Sequence, residues 1–389
     1  MLDFEFCAPT KFVFGRGGQH KVGQLVREFG GSRALIVYGG GSVVRSGLLA
    51  QVQASLDAAG VGHLELGGVK PNPRSDKVYE GVRLCRENGV DFVLPVGGGS
   101  AIDTGKAIAD GACYDGDFWD FYCGKAQVTR ALPVGCVLTI PAAGSEGSNS
   151  AVITQLDGNL KRGLSSELHR PRFAIMNPEL TFTLPRYQLA CGITDMLAHI
   201  MERYFTNTPD VALTDRLAEA LMLSIIEAAP VAMANAQDYE AHATLMWAGM
   251  LAHNNSVGVG REQDWASHRI GHEISAMYDT AHGASLAVML PAWMRYVYRH
   301  DVKRFVQFAT RVWQVDPAGK DDEEIALAGI AAMQAFFASL GMPQTLEEAG
   351  GRAEDIPALA ANVVGGKAGS FVPLLPPQIE EILHLACRA

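Results

Sequence analysis

The sequence predicts an α/β domain of the Rossmann-like kind, with a mostly parallel sheet, over residues 1–184, and an all-α domain over residues 185–389. Two observations carry this reading. Up to about Thr183, short β-rich runs alternate with helical stretches, and three of the runs end in glycine or small-residue turns. Beyond Leu184-Pro185 the texture becomes long Ala/Leu/Met-rich helical segments, with breaks expected at Pro230, Pro291, Pro317 and Gly350-Gly351. A chain of 389 residues also exceeds the usual single-domain size of about 100–200.

In the first domain Ala34-Leu-Ile-Val-Tyr38 reads as a buried strand running into Gly39-Gly40-Gly41-Ser42. Phe92-Val-Leu-Pro-Val96 is a second, followed by Gly97-Gly98-Gly99-Ser100 and a helix from Ala101 to about Ala109. Val137-Leu-Thr139-Ile140 is a third, ending in Pro141-Ala-Ala-Gly-Ser145-Glu146. Three such turns belong at one edge of the sheet, where open α/β folds bind ligands. Backbone N–H groups in a glycine turn before a helix can approach an anion, and the natural cargo is a pyrophosphate. Gly97–Ser100 is neither the G-x-G-x-x-G fingerprint nor, with Gly105-Lys106, a P-loop, so a bare strand-to-helix turn is the competing explanation for any one of them. Asp103 is expected in the first turn of the following helix, where dipole complementation alone could account for it. Lys161 is a candidate phosphate or ribose contact on what reads as a loop, where a solvated lysine is the commoner case.

Composition narrows the rest. Hydrophobic residues are 48% and charged residues 19%, which excludes disorder, and a net charge of -10 without a basic run argues against nucleic acid. Seven cysteines without a C-x-x-C pair read as reduced thiols. The N-terminus lacks signal-peptide features, and no apolar run is expected to reach the ~20 residues of a membrane helix, so the expected setting is the cytoplasm, without a membrane partner.

The second domain carries the chemistry. Asp195 and His199 stand four apart in a helical stretch, on one face about 5–6 Å from each other, and can chelate one ion. His268 and His272 repeat that spacing, and His282 follows on what reads as a loop. His253, His268, His272 and His282 fall in one thirty-residue window of an otherwise His-poor helical domain. A core or surface hydrogen bond explains any one histidine, but not the conjunction. Imidazole and carboxylate without thiolate suit a catalytic Zn²⁺ or Fe²⁺. His253 matches no ligand spacing, and His272-Glu273 is not a zinc-protease motif because Ala276 stands where the second histidine should be.

From Lys11-Phe-Val-Phe-Gly15-Arg through Pro71-Asn72-Pro73, Gly97–Ser100 with Asp103, the Asp195/His199 helix and His268 to His282-Gly283, nearly the whole chain resembles the iron-containing, or group III, alcohol dehydrogenases, of dehydroquinate synthase-like fold. The resemblance implies four metal ligands, Asp195, His199, His268 and His282, holding one divalent ion, with Fe²⁺ favoured and Zn²⁺ the alternative. It places His272 in the substrate pocket beside the nicotinamide, where an imidazole could relay the alcohol proton. The cofactor residues it implies are Gly39, Gly40, Gly41, Ser42, Asn72, Gly97, Gly98, Gly99, Ser100, Asp103, Thr139, Ser145, Ser148 and Lys161. Pro141–Glu146 and Asp264-Trp-Ala-Ser-His268 look like the NADP-dependent butanol dehydrogenase and aldehyde reductase branch. NAD-preferring relatives often carry an aspartate at the position of Gly39, so NADP(H) is the expected cofactor, a small alcohol or aldehyde the substrate, and a homodimer the assembly.

Three alternatives stay open. A dehydroquinate synthase-like lyase needs a lysine and arginine cluster, whereas Met196, Trp247, Met250, Trp265 and Met277 near the motifs favour an apolar substrate. The glycerol dehydrogenase branch uses fewer ligands than the four available. A nicotinamide-binding sensor is the non-enzymatic case.

Overall fold

A computed structural model describes residues 1–388. They form two compact units. The first comprises Cys7–Leu184 and Gln237–Asn254, the second Met1–Phe6, Pro185–Ala236 and Asn255–Ala389.

The first unit is built on six parallel strands, β1 (Lys11–Phe14), β2 (Arg33–Tyr38), β3 (Gly62–Leu66), β4 (Phe92–Gly97), β5 (Gly135–Leu138) and β8 (Phe173–Met176), in the order β1-β8-β5-β4-β2-β3. Its helices are α1 (Val22–Glu28), α2 (Ser42–Arg45), α3 (Leu48–Ala58), α4 (Ser75–Asn88), α5 (Gly99–Ala112) and α6 (Trp119–Tyr122). Strand alternation sends neighbouring side chains to opposite faces. Ala34 and Ile36 pack with Val22, Val26, Val52 and Leu56 of α1 and α3, while Leu35 and Val37 pack with Val78, Cys85, Ala107 and Ile108 of α4 and α5. Both faces are therefore covered, and a continuous apolar run is what such a strand requires. The order reverses between β2 and β4, so Gly39–Ser42 and Gly97–Ser100, at the carboxyl ends of those neighbours, flank the switch point.

Two features of this unit differ from the sequence expectation. The strand expected at Val137–Ile140 spans Gly135–Leu138, with the Thr139 amide donating to the Gly97 carbonyl at 3.0 Å. Lys161 is on a strand rather than a loop: β6 (Ser150–Gln155) and β7 (Leu160–Ser165) form an antiparallel hairpin, and the Lys161 side chain is buried. A hairpin with a charged residue on its inward side does not show the apolar alternation by which strands are read.

The second unit contains α7 (Arg186–Tyr204), α8 (Ala212–Ala234), α10 (Ala266–Tyr278), α11 (His282–Val297), α12 (Val302–Arg311), α13 (Asp322–Ser339), α14 (Ile356–Asn362) and α15 (Pro376–Leu385); α9 (Tyr239–His253) falls among them in the chain but belongs to the α/β unit. The reason is packing: Met246 and Met250 of α9 join Ile102, Cys136, Leu138, Ala174 and Met176 in one core. Trp247 likewise stands edge-on to Phe12 and Phe14, so Trp247 and Met250 serve the α/β unit rather than the metal motifs. At the other boundary, the Leu2 amide donates to the Gly260 carbonyl at 2.8 Å.

Pro230 and Pro291 do not break helices; they lie inside α8 and α11. A proline removes one backbone bond, and the buried Ala228, Ala229, Ala232 and Met233 around one, and Leu290, Ala292 and Trp293 around the other, hold the helix through it. The core of this unit is aromatic, with Phe205 against Trp293, Phe305, Phe308 and Phe371. By length and composition α8 could cross a membrane, but half of the relevant window is buried in the fold, and its Asp215 pairs with Arg304 and Arg261.

Candidate metal centre

Helix α7 is buried on nearly every side from Leu189 to Tyr204, the mark of a helix running through a core. Asp195, His199, Glu202 and Arg203 on it are buried too, and a buried charge is stable only with partners. Asp195, His199 and Glu202 follow i, i+4, i+7 spacing and so share one face.

Two further helices complete the set. His268 is in the first turn of α10, and His282 is the first residue of α11, not a loop residue as the sequence suggested. The placement of His282 depends on Gly283: a Cβ there would lie 2.1 Å from the Cys191 carbonyl oxygen of α7. Any side chain at this position pushes the start of α11, and with it His282, off α7.

The ligand atoms of Asp195, His268 and His282 all lie within 4.8 Å of one another. Asp195 Oδ1 is 3.7 Å from His199 Nδ1, 3.8 Å from His268 Nε2 and 3.7 Å from His282 Nε2. The His199 and His268 rings stack with centroids 4.7 Å apart. Asp195 Oδ1 and His268 Nε2 are buried without a hydrogen-bond partner, an expensive state for two polar atoms unless something else bonds them. The separations are those of atoms around a shared ion, and two imidazoles with one carboxylate and no thiolate are donors that suit Fe²⁺ or Zn²⁺. His199, with Nδ1 3.7 Å from Asp195 Oδ1, stands beside this group of three rather than within it.

Glu202, to which sequence reasoning assigned no role, fixes this geometry. Its Oε1 accepts from His268 Nδ1 at 2.8 Å and from the His268 amide at 3.0 Å. That bond places the ring proton on Nδ1 and leaves the Nε2 lone pair facing Asp195. Burial pulls the His268 imidazole down, but Asp195 and Glu202 outweigh it and raise its pKa above the ordinary value. The i+7 spacing from Asp195 was the signal that could have found Glu202. Asp264, beside the start of α10, is pushed up to about 7 by burial and by the charge of Glu202.

His272, one turn beyond His268, is half-buried with its ring 5.1 Å from that of His282, so it borders the group. His253 belongs to the α/β unit, where its Cβ would be 2.6 Å from a Cβ at Gly144.

In the α/β unit the candidate cofactor residues are largely engaged with one another. Ser145 Oγ donates to Asp103 Oδ1 at 2.6 Å, and the Val152 amide donates to Asp103 Oδ2 at 2.9 Å. Asp103 lies just beyond the first turn of α5, tying that helix to β6 rather than capping it. Lys106, fully buried, donates to the carbonyls of Ser145, Ser148 and Ser150 at 2.7, 3.0 and 2.8 Å, and reaches Ser145 Oγ at 2.9 Å and Ser148 Oγ at 3.5 Å. Burial pulls its amine down to about 8. A lysine amid Thr-Gly-Lys-Ala-Ile-Ala, otherwise without charge, was the signal for this role. Lys161 Nζ donates to Asn72 Oδ1 at 3.0 Å, which brings those two candidates together.

The glycines divide into two kinds. A Cβ at Gly98 would lie 2.9 Å from Ile140, and one at Gly99 3.1 Å from Ala143, so these close approaches are to the protein itself. Gly40 has nothing within 4 Å, and Gly41 adopts φ 102° ahead of Ser42.

Residues 9–178 match the family model of iron-containing alcohol dehydrogenases, and residues 189–387 match its C-terminal model. The chain is 40% identical over 386 residues to NADH-dependent butanol dehydrogenase A of Clostridium acetobutylicum, covering 99% of each. It is 40% identical over 365 residues to the NADPH-dependent aldehyde reductase YqhD of Escherichia coli, covering 92% of each. The crystal structure of NADH-dependent butanol dehydrogenase A from Thermotoga maritima superposes with a TM-score of 0.97 at 40% identity, over 100% of this chain and 99% of that one. The buried Asp/His group and these matches along both units lead to one conclusion: the chain belongs to the iron-containing alcohol dehydrogenase family, in its butanol dehydrogenase and aldehyde reductase branch.

Proposed function

We propose that this protein is a metal-dependent alcohol dehydrogenase and aldehyde reductase, moving hydride between NADP(H) and a small primary alcohol or aldehyde of the butanol/butanal kind. The observation that carries the proposal is the convergence of Asp195, His268 and His282 within 4.8 Å, backed by Glu202 behind His268. His199 is the fourth ligand of the proposed set, with Nδ1 at 3.7 Å from Asp195 Oδ1. A divalent ion held there, Fe²⁺ by family membership, supplies Lewis acidity toward the substrate oxygen, and the nicotinamide supplies the redox chemistry.

The chain's own part is to hold the four donors in place and move a proton. Glu202 fixes the His268 tautomer, and Gly283 lets His282 approach. His272 is the candidate relay for the alcohol proton, since a half-buried imidazole can exchange with water near neutral pH. The family's nucleotide site falls on the turns around the sheet's switch point, Gly39–Ser42 and Gly97–Ser100 with Thr139, and on the Asn72–Lys161 pair. The preference for NADP(H) rests on Gly39, where no carboxylate is present to repel a 2′-phosphate. The names of the relatives divide on this point, the butanol dehydrogenases being NADH-dependent and YqhD NADPH-dependent. A homodimer fits the exposed Phe14 on β1, the terminal strand of the sheet. A cytoplasmic setting fits seven cysteines that are all free.

Anaerobically prepared protein incubated with NADPH and butanal should oxidise NADPH stoichiometrically and lose that activity on exhaustive chelation. Full turnover by metal-free protein would overturn the metal's role. A clear NADH advantage in kcat/KM would overturn the NADP(H) preference.

A further inference from the structure

Among the described residues, seven non-glycine residues adopt positive φ, and six are Asn, Asp or Gln; the seventh is Trp265, at φ 66° and ψ 14°. Asparagine and aspartate visit this left-handed region readily, whereas a bulky aromatic does so only when the surroundings over-determine it. Here they do. The preceding Asp264 is fixed on both sides: its amide donates to the Glu202 carbonyl at 2.8 Å, and its carboxylate accepts the amides of Ser370, Phe371 and Ala266 at 2.8, 2.8 and 3.0 Å. The Trp265 carbonyl accepts the Arg269 amide at 3.1 Å, and Trp265 Nε1 donates to Gln263 Oε1 at 3.2 Å.

This strained backbone delivers the indole to the metal group. Its ring centroid is 5.1 Å from His268, perpendicular to it, and 5.9 Å from His199. The Arg203 guanidinium lies 4.7 Å from the indole centroid, and Arg203 Nη1 also donates to the His199 carbonyl at 2.7 Å. One indole therefore touches the rings of two proposed ligands that stack on each other, and is itself held by a cation from the same helix as His199.

We infer that Trp265 is a positioning residue of the metal centre, whose left-handed backbone is retained because it wedges the indole against His199 and His268 and sets their ring planes for a shared ion. Loss of the indole frees both rings to turn, weakening the ion's binding and changing its ligand geometry. The inference rests on the reading of Asp195, His199, His268 and His282 as one metal set.

The test uses full-length protein stripped of metal and titrated with Co²⁺ alone. Affinity is read by competition with a chromogenic chelator, and ligand geometry by the visible absorption of bound Co²⁺. Trp265→Asn keeps a residue that tolerates the left-handed backbone and removes the indole. It should bind Co²⁺ at least about tenfold more weakly, in line with the loss of an outer-shell partner, with altered visible bands. Trp265→Phe keeps an aromatic ring at the same position while giving up the Nε1 bond to Gln263 and part of the indole; it should stay within about threefold of the parent. Unchanged Co²⁺ affinity and spectrum in Trp265→Asn overturns the inference, even if the variant melts at lower temperature. If that variant does not fold, Trp265→Gly, which also accepts the left-handed backbone and removes the ring, decides: an unchanged Co²⁺ affinity and spectrum there overturns the inference, and a loss of about tenfold upholds it. Failure of the parent protein to bind Co²⁺ removes the metal reading itself, and this inference with it.

Discussion

The Asp/His group of the helical unit and the turns of the α/β unit are both rich in buried polar groups, yet they treat them in opposite ways. Asp195 Oδ1 and His268 Nε2 are buried and face one another without hydrogen bonds, whereas Asp103, Ser145, Lys106, Lys161 and Asn72 bond internally. The first pattern leaves bonding capacity for a ligand that is not protein. The second satisfies its side chains within the protein, tying neighbouring turns and strands together. Residue type alone does not distinguish them; satisfaction does.

Four substitutions sharpen or break this contrast. The largest effect is expected at Asp195→Ala, which should leave a folded protein with no stoichiometric metal by elemental analysis and turnover down by about 10³-fold or more, roughly 4 kcal/mol. Retention of one metal per chain would show that the carboxylate is not a ligand. Next comes Lys106→Met, which leaves three carbonyls, two of them fully buried, without their donor. It should cost about 3 kcal/mol of stability in urea melts and raise the cofactor KM while metal content stays at parent level. A loss of metal in this variant would break the separation between the two regions.

Glu202→Gln is expected to be milder. The amide keeps its shape but not its charge, so metal affinity should fall about 10–100-fold by chelator competition while the fold is unchanged. An unchanged affinity would reduce Glu202 to a packing residue. The smallest effect concerns pH. Burial pushes Glu146 up to about 7, above the unfolded value, so the folded state binds its proton more tightly than the unfolded state does. Its contribution to stability is therefore full at low pH, below the unfolded value, and is lost as pH rises toward and through 7. Glu146→Gln should flatten that decline and gain about 1–2 kcal/mol at pH 8 relative to pH 5, measured by denaturant melts at both. A parallel decline in variant and parent would assign the pH dependence elsewhere.

Much of the site was legible in the chain because its signals are local. Asp195/His199 and His268/His272 are i, i+4 pairs on helices, and the glycine turns follow strands that read plainly as apolar runs. The misreadings were non-local. Trp247 and Met250 read along the chain as neighbours of the metal motifs, yet helix α9 fills the sheet's core. Pro230 and Pro291 predict breaks by local preference, yet tertiary packing carries the helix through both. Lys161 reads as a loop residue because its hairpin shows no clean alternation.

By itself the sequence determined the two structural classes, the family, and the residue types that converge on the metal centre, because hydrophobic period, turn chemistry and ligand spacing are all written along the chain. Only the tertiary structure decided which buried polar atoms are satisfied and which are not. It gave Glu202 to His268, pressed Gly283 against Cys191 and turned Trp265 into a left-handed backbone beside two imidazoles. Each of those relations joins residues far apart in the chain or strains one that local preference would relax, and packing energy summed over the whole core is what holds them.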